Sequence, residues 1–460
     1  MKDKKDILLS FYGDDFTGSS DVMESLSLMG IPTILFIDPP TLAAIENFNW
    51  KGEKTEEKGP IAFGVAGIAR SLTPKEMTDE LDPIFGAISE IPTNYFHYKI
   101  CSTLDSAPDI GNIGTALDVA EKYFPSSFIP LLLGLPLLNR FVAFGNLFAR
   151  IGDETFRLDR HPVMSRHPVT PMMESDIRRH LAYQMTRKIS LVDFFALDNI
   201  AEKSAQGIIG NKDNSNPAPV ILFDTLEDKH LPKIGQWIHK NSQSKHQLLL
   251  GSSAIEYALG TVYGMPQTQK NLPHAVSPTL IVAGSCSQTT ADQLNHVSEL
   301  GYEMVRLLVD QVFDDEGQAE QIRKTVTICL NHLLLGRNTV VFSALGPSDP
   351  AVQNILNADQ TKAQPHRIAA TQAIITKKII EEFPLKRLVT AGGDTSGYII
   401  KELGITALEF KNELAPGAPL CIAHAEHKGT DGLDIAIKGG QNGTVRYFEF
   451  AQMGGSLQKV

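Results

Sequence analysis

Cysteine is scarce: Cys101, Cys286, Cys329 and Cys421 are scattered through 460 residues. None forms a CxxC pair or stands at His/Cys ligand spacing, which argues against a disulfide framework and a structural zinc site. Uninterrupted apolar runs of ~18 residues are missing, so no transmembrane helix is expected. The opening MKDKKDILLS lacks the long apolar segment and small-residue cleavage site of a secretory leader. A soluble, cytoplasmic protein with no membrane partner is expected. Positive charge is in deficit, with 42 Lys+Arg against 53 Asp+Glu and a formal net charge of −11. With no broad basic patch, nucleic acid is not an expected partner, although a small anion can still find a locally positive site. GxxxxGK[ST] is absent, as is a GxGxxG on a first strand. Neither a P-loop nor a dinucleotide fingerprint is present, and a dehydrogenase loses support.

What is present is a globular composition, 42% hydrophobic and 21% charged, in a chain too long for one ordinary core. Short apolar runs (6–13, 32–37, 60–67, 95–101, 128–134 and 219–225) alternate with helix-like segments at 19–30, 75–90, 112–124 and 174–189. Residues 203–218 read as a turn-rich connection and 248–260 as a further strand, loop and helix. Residues 266–278 are polar and aperiodic and read as a linker between domains at 1–265 and 279–460. Beyond it a second series begins, with strands at 278–285, 303–309, 339–345 and 387–393 and helices between them. The expectation is two tandem three-layer α/β domains with mostly parallel or mixed sheets and an active site in the interdomain cleft.

Asp14, Asp15 and Asp21 in SFYGDDFTGSSD stand at the end of the first strand, where they could cap a helix, hold a metal or handle a substrate proton. KICSTLDSAPDIGNIG (99–114) offers Ser102, Thr103, Asp105 and Ser106 to a polyhydroxylated ligand, and backbone amides near Gly111, Asn112 and Gly114 to an anion, or simply caps a helix. Lys99 reads as a snorkelling strand-end residue. Arginines and histidines concentrate in 144–181, among them Arg150, Arg166 and His167. Prolines interrupt its middle, which must be a loop rather than a helix, and the stretch reads as either a lid and anion clamp or a charge-balanced surface.

In the second half, Gly392, Gly393, Asp394, Thr395 and Ser396 follow a strand and open a helix, a turn that binds phosphate through backbone N–H groups or merely caps. Gly284 and Ser285 in IVAGSCSQTTADQL repeat the arrangement, and AIKGGQNG (436–443) sets Lys438 beside Gly439 and Gly440. His424 and His427 have no matching carboxylate-histidine set and read as a surface loop pair.

Together SFYGDDFTGSSD, KICSTLDSAPDIGNIG, RHPVTPMMESDIRRHL, AGSCSQTTADQL and TAGGDTSGYIIKELG resemble the four-carbon acid sugar kinases, in order and over nearly the whole chain. The resemblance implies a sugar-acid domain followed by an ATP domain, with Mg²⁺ bridging the phosphates. It places the DDFTGSSD carboxylates, CSTLDS, the GNIG amides, His167 and Thr170 at the sugar acid. Gly284, Ser285, Gly346, Gly392 to Ser396, Gly439 and Gly440 fall at the nucleotide. Asp15, or else Asp14, would accept the hydroxyl proton, and Arg150 and Arg166 would clamp the substrate carboxylate. Asn146 in GNLFAR stands where many relatives have histidine. KGGQNG is more similar to the 3-oxo-isoapionate kinase branch than to the threonate and erythronate kinases. A metal-dependent aldolase or hydrolase and a non-catalytic sugar-acid sensor are the alternatives, the metal ligands are open, and a homodimer is left open.

Overall fold

The computed structural model describes residues 6–52, 61–167, 169–210, 217–242, 245–264, 274–352 and 365–455. The chain forms two compact units, Met1–Asn49 with Thr55–Gln267, and Trp50–Lys54 with Thr268–Val460. Most of the linker read at 266–278 lies outside the described residues. Trp50–Lys54 belongs to the second unit although it lies early in the chain. There, the Lys51 and Gly52 amides donate to the Glu409 carboxylate at 2.9 and 2.7 Å.

The strands of the first unit are β1 Ile7–Gly13, β2 Thr33–Phe36, β3 Ile61–Ala66, β4 Tyr95–Lys99, β5 Ile129–Leu132, β6 Arg140–Ala143, β7 Asn146–Ile151, β8 Glu154–Arg157, β9 Ile189–Val192, β10 Val220–Phe223 and β11 Gln247–Gly251. The main sheet has the order β2-β3-β1-β4-β11-β5-β10-β9 and is parallel throughout. Helices cover both faces, so β1 and β4 are buried along their whole length, which is why they read as continuous apolar runs. The helix Phe16–Leu28 packs with Ala254–Tyr263, and Pro74–Ser89 packs with Ile113–Tyr123. The chain leaves β1 toward β2 and leaves β4 toward β5. The carboxyl ends of β1 and β4 therefore flank a topological switch point, where open α/β sheets bind ligands.

The Arg-rich stretch 144–181 opens with strands before its proline-rich middle. β6, β7 and β8 form a small antiparallel sheet, with short 3₁₀ turns at Leu158–Arg160 and Met164–Arg166. The prolines begin only after β8 has ended, so they never interrupt its ladder.

The second unit contains β12 Leu280–Ala283, β13 Glu303–Arg306, β14 Thr339–Phe342, β15 Arg387–Ala391, β16 Ile405–Ala415, β17 Ala418–Ala425 and β18 Asp434–Lys438. Their order is β13-β14-β12-β15-β18-β17-β16, parallel from β13 to β18 and antiparallel through β17 and β16. The final segment, left as mixed in the sequence, is thus a long hairpin on a parallel sheet. One face buries Ile281, Leu294, Val340, Val389, Tyr447 and Phe448. The helix Gln288–Glu299 packs with Tyr447–Met453, while Gly393–Glu402 packs with Pro365–Glu382. The helices that follow β12 and β15 diverge in this way and leave a second switch point between those strands. His424 is not on a surface loop: it is buried on β17, with Nε2 3.2 Å from Glu409.

Candidate functional site

Asp15 is the N-cap of the helix Phe16–Leu28, its Oδ1 accepting the Gly18 N–H at 2.8 Å. Small residues let that helix lie close to β1, since a Cβ on Gly13 would come 2.1 Å from Ser19 Oγ. The acidic motif therefore caps the helix, but capping uses only part of it. Arg70, on the turn after β3, reaches both neighbouring carboxylates. Its Nη2 and Nε donate to Asp14 at 2.6 and 3.2 Å, and Nη1 and Nη2 donate to Asp15 at 2.9 Å each. The Asp14 N–H donates to the Lys99 carbonyl and the Arg70 N–H to the Asp14 carbonyl, both at 2.9 Å, which locks the ends of β1, β3 and β4 together.

Burial raises the Asp14 carboxyl above its ordinary pKa; Arg70 partly offsets this and the Asp15 charge adds to it. Burial also works against the Arg70 charge, but Asp14 and Asp15 outweigh it and hold the guanidinium ionised. Lys99 is buried rather than snorkelling. Its amine lies 3.5 Å from Asp21, and although burial opposes its charge, Asp21, Asp14 and Asp15 keep it protonated. Asp21 thus has an electrostatic role besides its place in the helix. The side chains of Asp14 and Asp15 are 5% and 29% exposed, so Asp15 is the one a ligand can reach.

The loop after β4 stands beside this cluster. Cys101 Sγ lies 2.9 Å from Thr103 Oγ1, which donates to Asp105 at 2.8 Å. Burial pushes the Cys101 thiol up to about 11, so it is not a nucleophile at neutral pH. Asp105 and Cys101 act electrostatically on both Arg70 and Arg140. Ser102 is half-buried in the same loop.

Gly111, Asn112 and Gly114 are engaged within the protein. Gly111 N–H donates to Leu72 O at 2.9 Å, and Asn112 caps the helix Ile113–Tyr123 by accepting from Thr115 N at 2.8 Å. Gln184 takes the Ile113 amide at 2.9 Å, and Gly114 packs against the Gln184 backbone. His167 Nδ1 accepts the Thr170 N–H at 3.1 Å in a local turn. Arg150 and Arg166 are exposed; Arg150 donates to Thr155 Oγ1 at 3.2 Å, and neither is bonded to the Asp14–Asp15 cluster among the described residues.

Arg140, at the start of β6, is the cation nearest in character to an anion anchor. It donates to the Leu138 and Asn139 carbonyls at 3.1 and 3.2 Å, its Nε is buried without a hydrogen-bond partner, and no carboxylate pairs with it among the described residues. Burial lowers its pKa, only partly countered by Cys101 and Asp105. Arg70, Lys99 and Arg140 were not picked out as functional from the sequence. Arg70 and Lys99 were within reach of it: each basic residue ends or follows a strand, and parallel order places those ends beside the acidic one.

The second switch point gathers the glycine-rich turns. Gly284 and Ser285 amides donate to Ala391 O at 3.0 and 3.2 Å, and Gly392 N–H donates to Lys438 O at 3.0 Å. Gly392 adopts φ +118°, a left-sided conformation that suits glycine, and a Cβ there would sit 3.2 Å from Ser285 N. A Cβ on Gly284 would meet Thr395 Oγ1 at 2.0 Å. Gly392 caps the helix Gly393–Glu402 with no side chain, so the first-turn amides remain for solvent or an anion. Gly393 and Asp394 are exposed at that turn. Thr395 and Ser396 turn inward, to Gln372 at 3.2 Å and Thr390 at 2.9 Å, so they support the turn rather than face outward. Gly440 O accepts from Thr290 Oγ1 at 2.9 Å and from Ser287 Oγ, which draws the Gly439–Gly440 loop over the first turn of Gln288–Glu299. Gly346 rests against Ala291 on the same helix. The predicted nucleotide residues are thus brought together at one sheet edge. No helix among the described residues is long and apolar enough to cross a membrane.

A family model for a sugar-binding N-terminal domain matches residues 9–259, and one for a nucleotide-binding C-terminal domain matches residues 280–448. The class is a two-domain ATP-dependent phosphotransferase, a sugar-binding half followed by a nucleotide-binding half. The chain is 35% identical over 459 residues to the 3-oxo-isoapionate kinase of Paraburkholderia graminis, covering 97% of this chain and 94% of that protein. It is 26% identical over 447 residues to the 3-oxo-tetronate kinase of Haemophilus influenzae, covering 97% and 99%. A solved Salmonella typhimurium LT2 protein shares the fold at TM-score 0.75 and 22% identity, covering 96% of this chain and 98% of that one. Haemophilus influenzae protein HI1011 does so at TM-score 0.68 and 22% identity, covering 96% and 99%. The chain belongs to the four-carbon sugar acid kinase family that includes the 3-oxo-tetronate and 3-oxo-isoapionate kinases.

Proposed function

We propose that the chain transfers the ATP γ-phosphoryl group to a hydroxyl of a short oxidised sugar acid, with a 3-oxo-isoapionate-type acceptor favoured over threonate, erythronate and 3-oxo-tetronate. The preference rests on the 35% identity to a 3-oxo-isoapionate kinase over nearly the full length of both chains. The observation that carries the reading is the Asp14–Asp15–Arg70 cluster at a switch point, linked through Cys101 and Asp105 to the half-buried Arg140 guanidinium, which has no carboxylate of its own among the described residues. A sugar acid requires both features: an acceptor for the hydroxyl proton and a cation for the carboxylate.

Asp15 accepts the hydroxyl proton as the oxygen bonds to phosphorus, because its carboxylate is the accessible one. Asp14 and Asp15 share the Arg70 guanidinium, and Lys99 adds a second positive charge beside the acidic pair. Arg140 anchors the substrate carboxylate, since a partly desolvated guanidinium gains most from a bidentate partner. Arg150, Arg166 and His167 contribute from the rim. Ser102 and Asp105 bond substrate hydroxyls. Gly111, Asn112 and Gly114 hold the loop that carries those groups.

At the nucleotide, Gly284, Ser285, Gly346, Gly392, Gly393, Gly439 and Gly440 bring backbone amides close to phosphate, and Thr395 and Ser396 brace the turn. Among the described residues no group of three or more His, Cys, Asp or Glu forms a self-contained metal cage. Mg²⁺ would be held largely through phosphate oxygens and water, with exposed Asp394 as the residue that would hold a water ligand. The ion supplies charge neutralisation at the transferring phosphates. Four cysteines that form no disulfide and the acidic composition support a cytoplasmic protein whose partners are small anions.

The test is ADP release across 3-oxo-isoapionate, 3-oxo-tetronate, threonate and erythronate, with mass detection of the phosphorylated product. Turnover should be highest with 3-oxo-isoapionate. Folded protein that binds ATP but turns over none of the panel would overturn the substrate assignment.

A further inference from the structure

Lys438 is the last residue of β18 and is fully buried. It ties together the turn at Gly392, the loop at Gly440 and the first turn of Gln288–Glu299. Its amine donates to Thr290 Oγ1 at 2.9 Å and to Gly440 O at 3.3 Å, and its own carbonyl accepts the Gly392 N–H at 3.0 Å. The rings of Tyr447 and Phe448 close the other side, 5.9 and 5.8 Å from Nζ. No carboxylate pairs with it among the described residues. A neutral amine has two N–H donors, which match the two acceptors in place; an ammonium brings a third donor with only the ring faces of Tyr447 and Phe448, near the outer limit of a cation–π contact, to meet it.

We propose that Lys438 is a proton-linked positioning residue of the nucleotide site: phosphates arriving at these loops draw a proton from solvent onto its amine, and the ammonium then holds Gly440 and Thr290 around them. The inference rests on the kinase reading and deepens it.

Among the described residues, the neighbouring elements bring no competing charge to the amine. On Gln288–Glu299, Asp292 accepts from Gln288 at 2.8 Å and His296 lies 3.0 Å from Glu449. On Tyr447–Met453, Glu449 is also bound by Arg446 at 2.7 Å, and the Tyr447 hydroxyl donates to Ala418 O at 3.2 Å. Arg387 on β15 is paired with Asp434 at 2.7 Å, at the far end of both strands. On β17, Cys421 is buried opposite Ile435, and His424 lies 3.2 Å from Glu409. Asp394, opening Gly393–Glu402, is exposed at the ligand side. Burial alone pushes the Lys438 amine down to about 7.

The sign follows by linkage. Free protein has lost the proton above pH 7, and nucleotide-bound protein regains it because added negative charge raises the pKa. Uptake is small below pH 7 and approaches ~0.9 proton at pH 8, while affinity falls about fivefold between pH 7 and 8. Lys438→Met abolishes the uptake and flattens the profile, whereas Lys438→Arg carries fixed charge and so binds with no uptake and little pH dependence.

The experiment is calorimetry of ADP in excess Mg²⁺ binding to the full chain and both variants, at pH 7 and 8, in buffers of different ionisation enthalpy. Titration of the ligand itself is common to all three proteins and cancels in the difference. Wild-type uptake exceeding that of both variants by more than half a proton at pH 8 supports the proposal; equal uptake overturns it. Should the variants fail to fold, ¹³Cε NMR of wild-type lysines replaces them. A signal titrating near neutral pH and moving upward with ADP supports the proposal, and its absence overturns it. ADP binding without excess proton uptake defeats this inference alone, whereas no ADP binding defeats the kinase reading with it.

Discussion

Arg70→Met should destabilise the first unit strongly at neutral pH and much less in mild acid. The substitution removes four charge-assisted hydrogen bonds to Asp14 and Asp15. The Asp14 side chain is 5% exposed, so its charge would be left buried and uncompensated, whereas Asp15 at 29% can turn to water. Breaking a buried pair costs about 3–5 kcal/mol, and the exposed half contributes about 0–1. Asp14 can escape by taking a proton, which caps its share at the cost of protonating an ordinary aspartate, about 4 kcal/mol at pH 7 and about 1.5 at pH 5.

Burial raises the Asp14 pKa and Arg70 works against that rise, so removing Arg70 raises the folded-state value further and the folded variant holds a proton that the unfolded chain has released. Stability of the variant therefore falls as pH rises from the unfolded value through the folded one. Relative to wild type, a deficit of about 3 kcal/mol at pH 7 should shrink to about 1 at pH 5. Urea unfolding read by Trp237, buried in the first unit, measures it, with Trp50 replaced by Phe in both proteins. A deficit below ~1 kcal/mol at pH 7, or one that does not change with pH, would refute the claim that Arg70 neutralises Asp14.

Other substitutions probe the remaining roles. Asp15→Asn should lower kcat by at least about 100-fold with little change in the sugar-acid KM; near-normal turnover removes Asp15 as the base. Arg140→Met should raise that KM by roughly 10- to 100-fold without loss of thermal stability, because a cation without a carboxylate is replaced by an apolar side chain. Arg150→Ala and Arg166→Ala should change KM less than tenfold, because both are exposed, and a larger rise in steady-state kinetics would return them to the centre of the clamp. Gly392→Ala forces an alanine to φ +118° against Ser285 N, at about 1–3 kcal/mol. The ATP KM should rise while the sugar-acid KM stays near normal, and a thermal melt separates the stability loss.

Local signals were legible wherever chemistry and chain order coincide. Buried parallel strands such as β1, β12 and β15 read as apolar runs, and their glycine or acidic endings marked both switch points. β6 to β8 were missed because arginines and later prolines imitate a loop, while their pairing is a contact between segments. At Asn112, Gly114, Thr395 and Ser396 the sequence left a ligand and a cap open, since the same residue types serve either, and the fold engages them within the protein.

The sequence by itself determined two α/β series, the acidic turn after β1 and the glycine turns of the second half, because periodicity, turn chemistry and helix caps are set by near neighbours. Only the tertiary structure decided that Arg70 and Lys99 hold the acidic pair, that Arg140 lacks a carboxylate and that Lys438 is sealed beneath the glycine loops. Each of those facts depends on which strand ends become adjacent and on how much water the fold excludes, and neither quantity is written in any short stretch of chain.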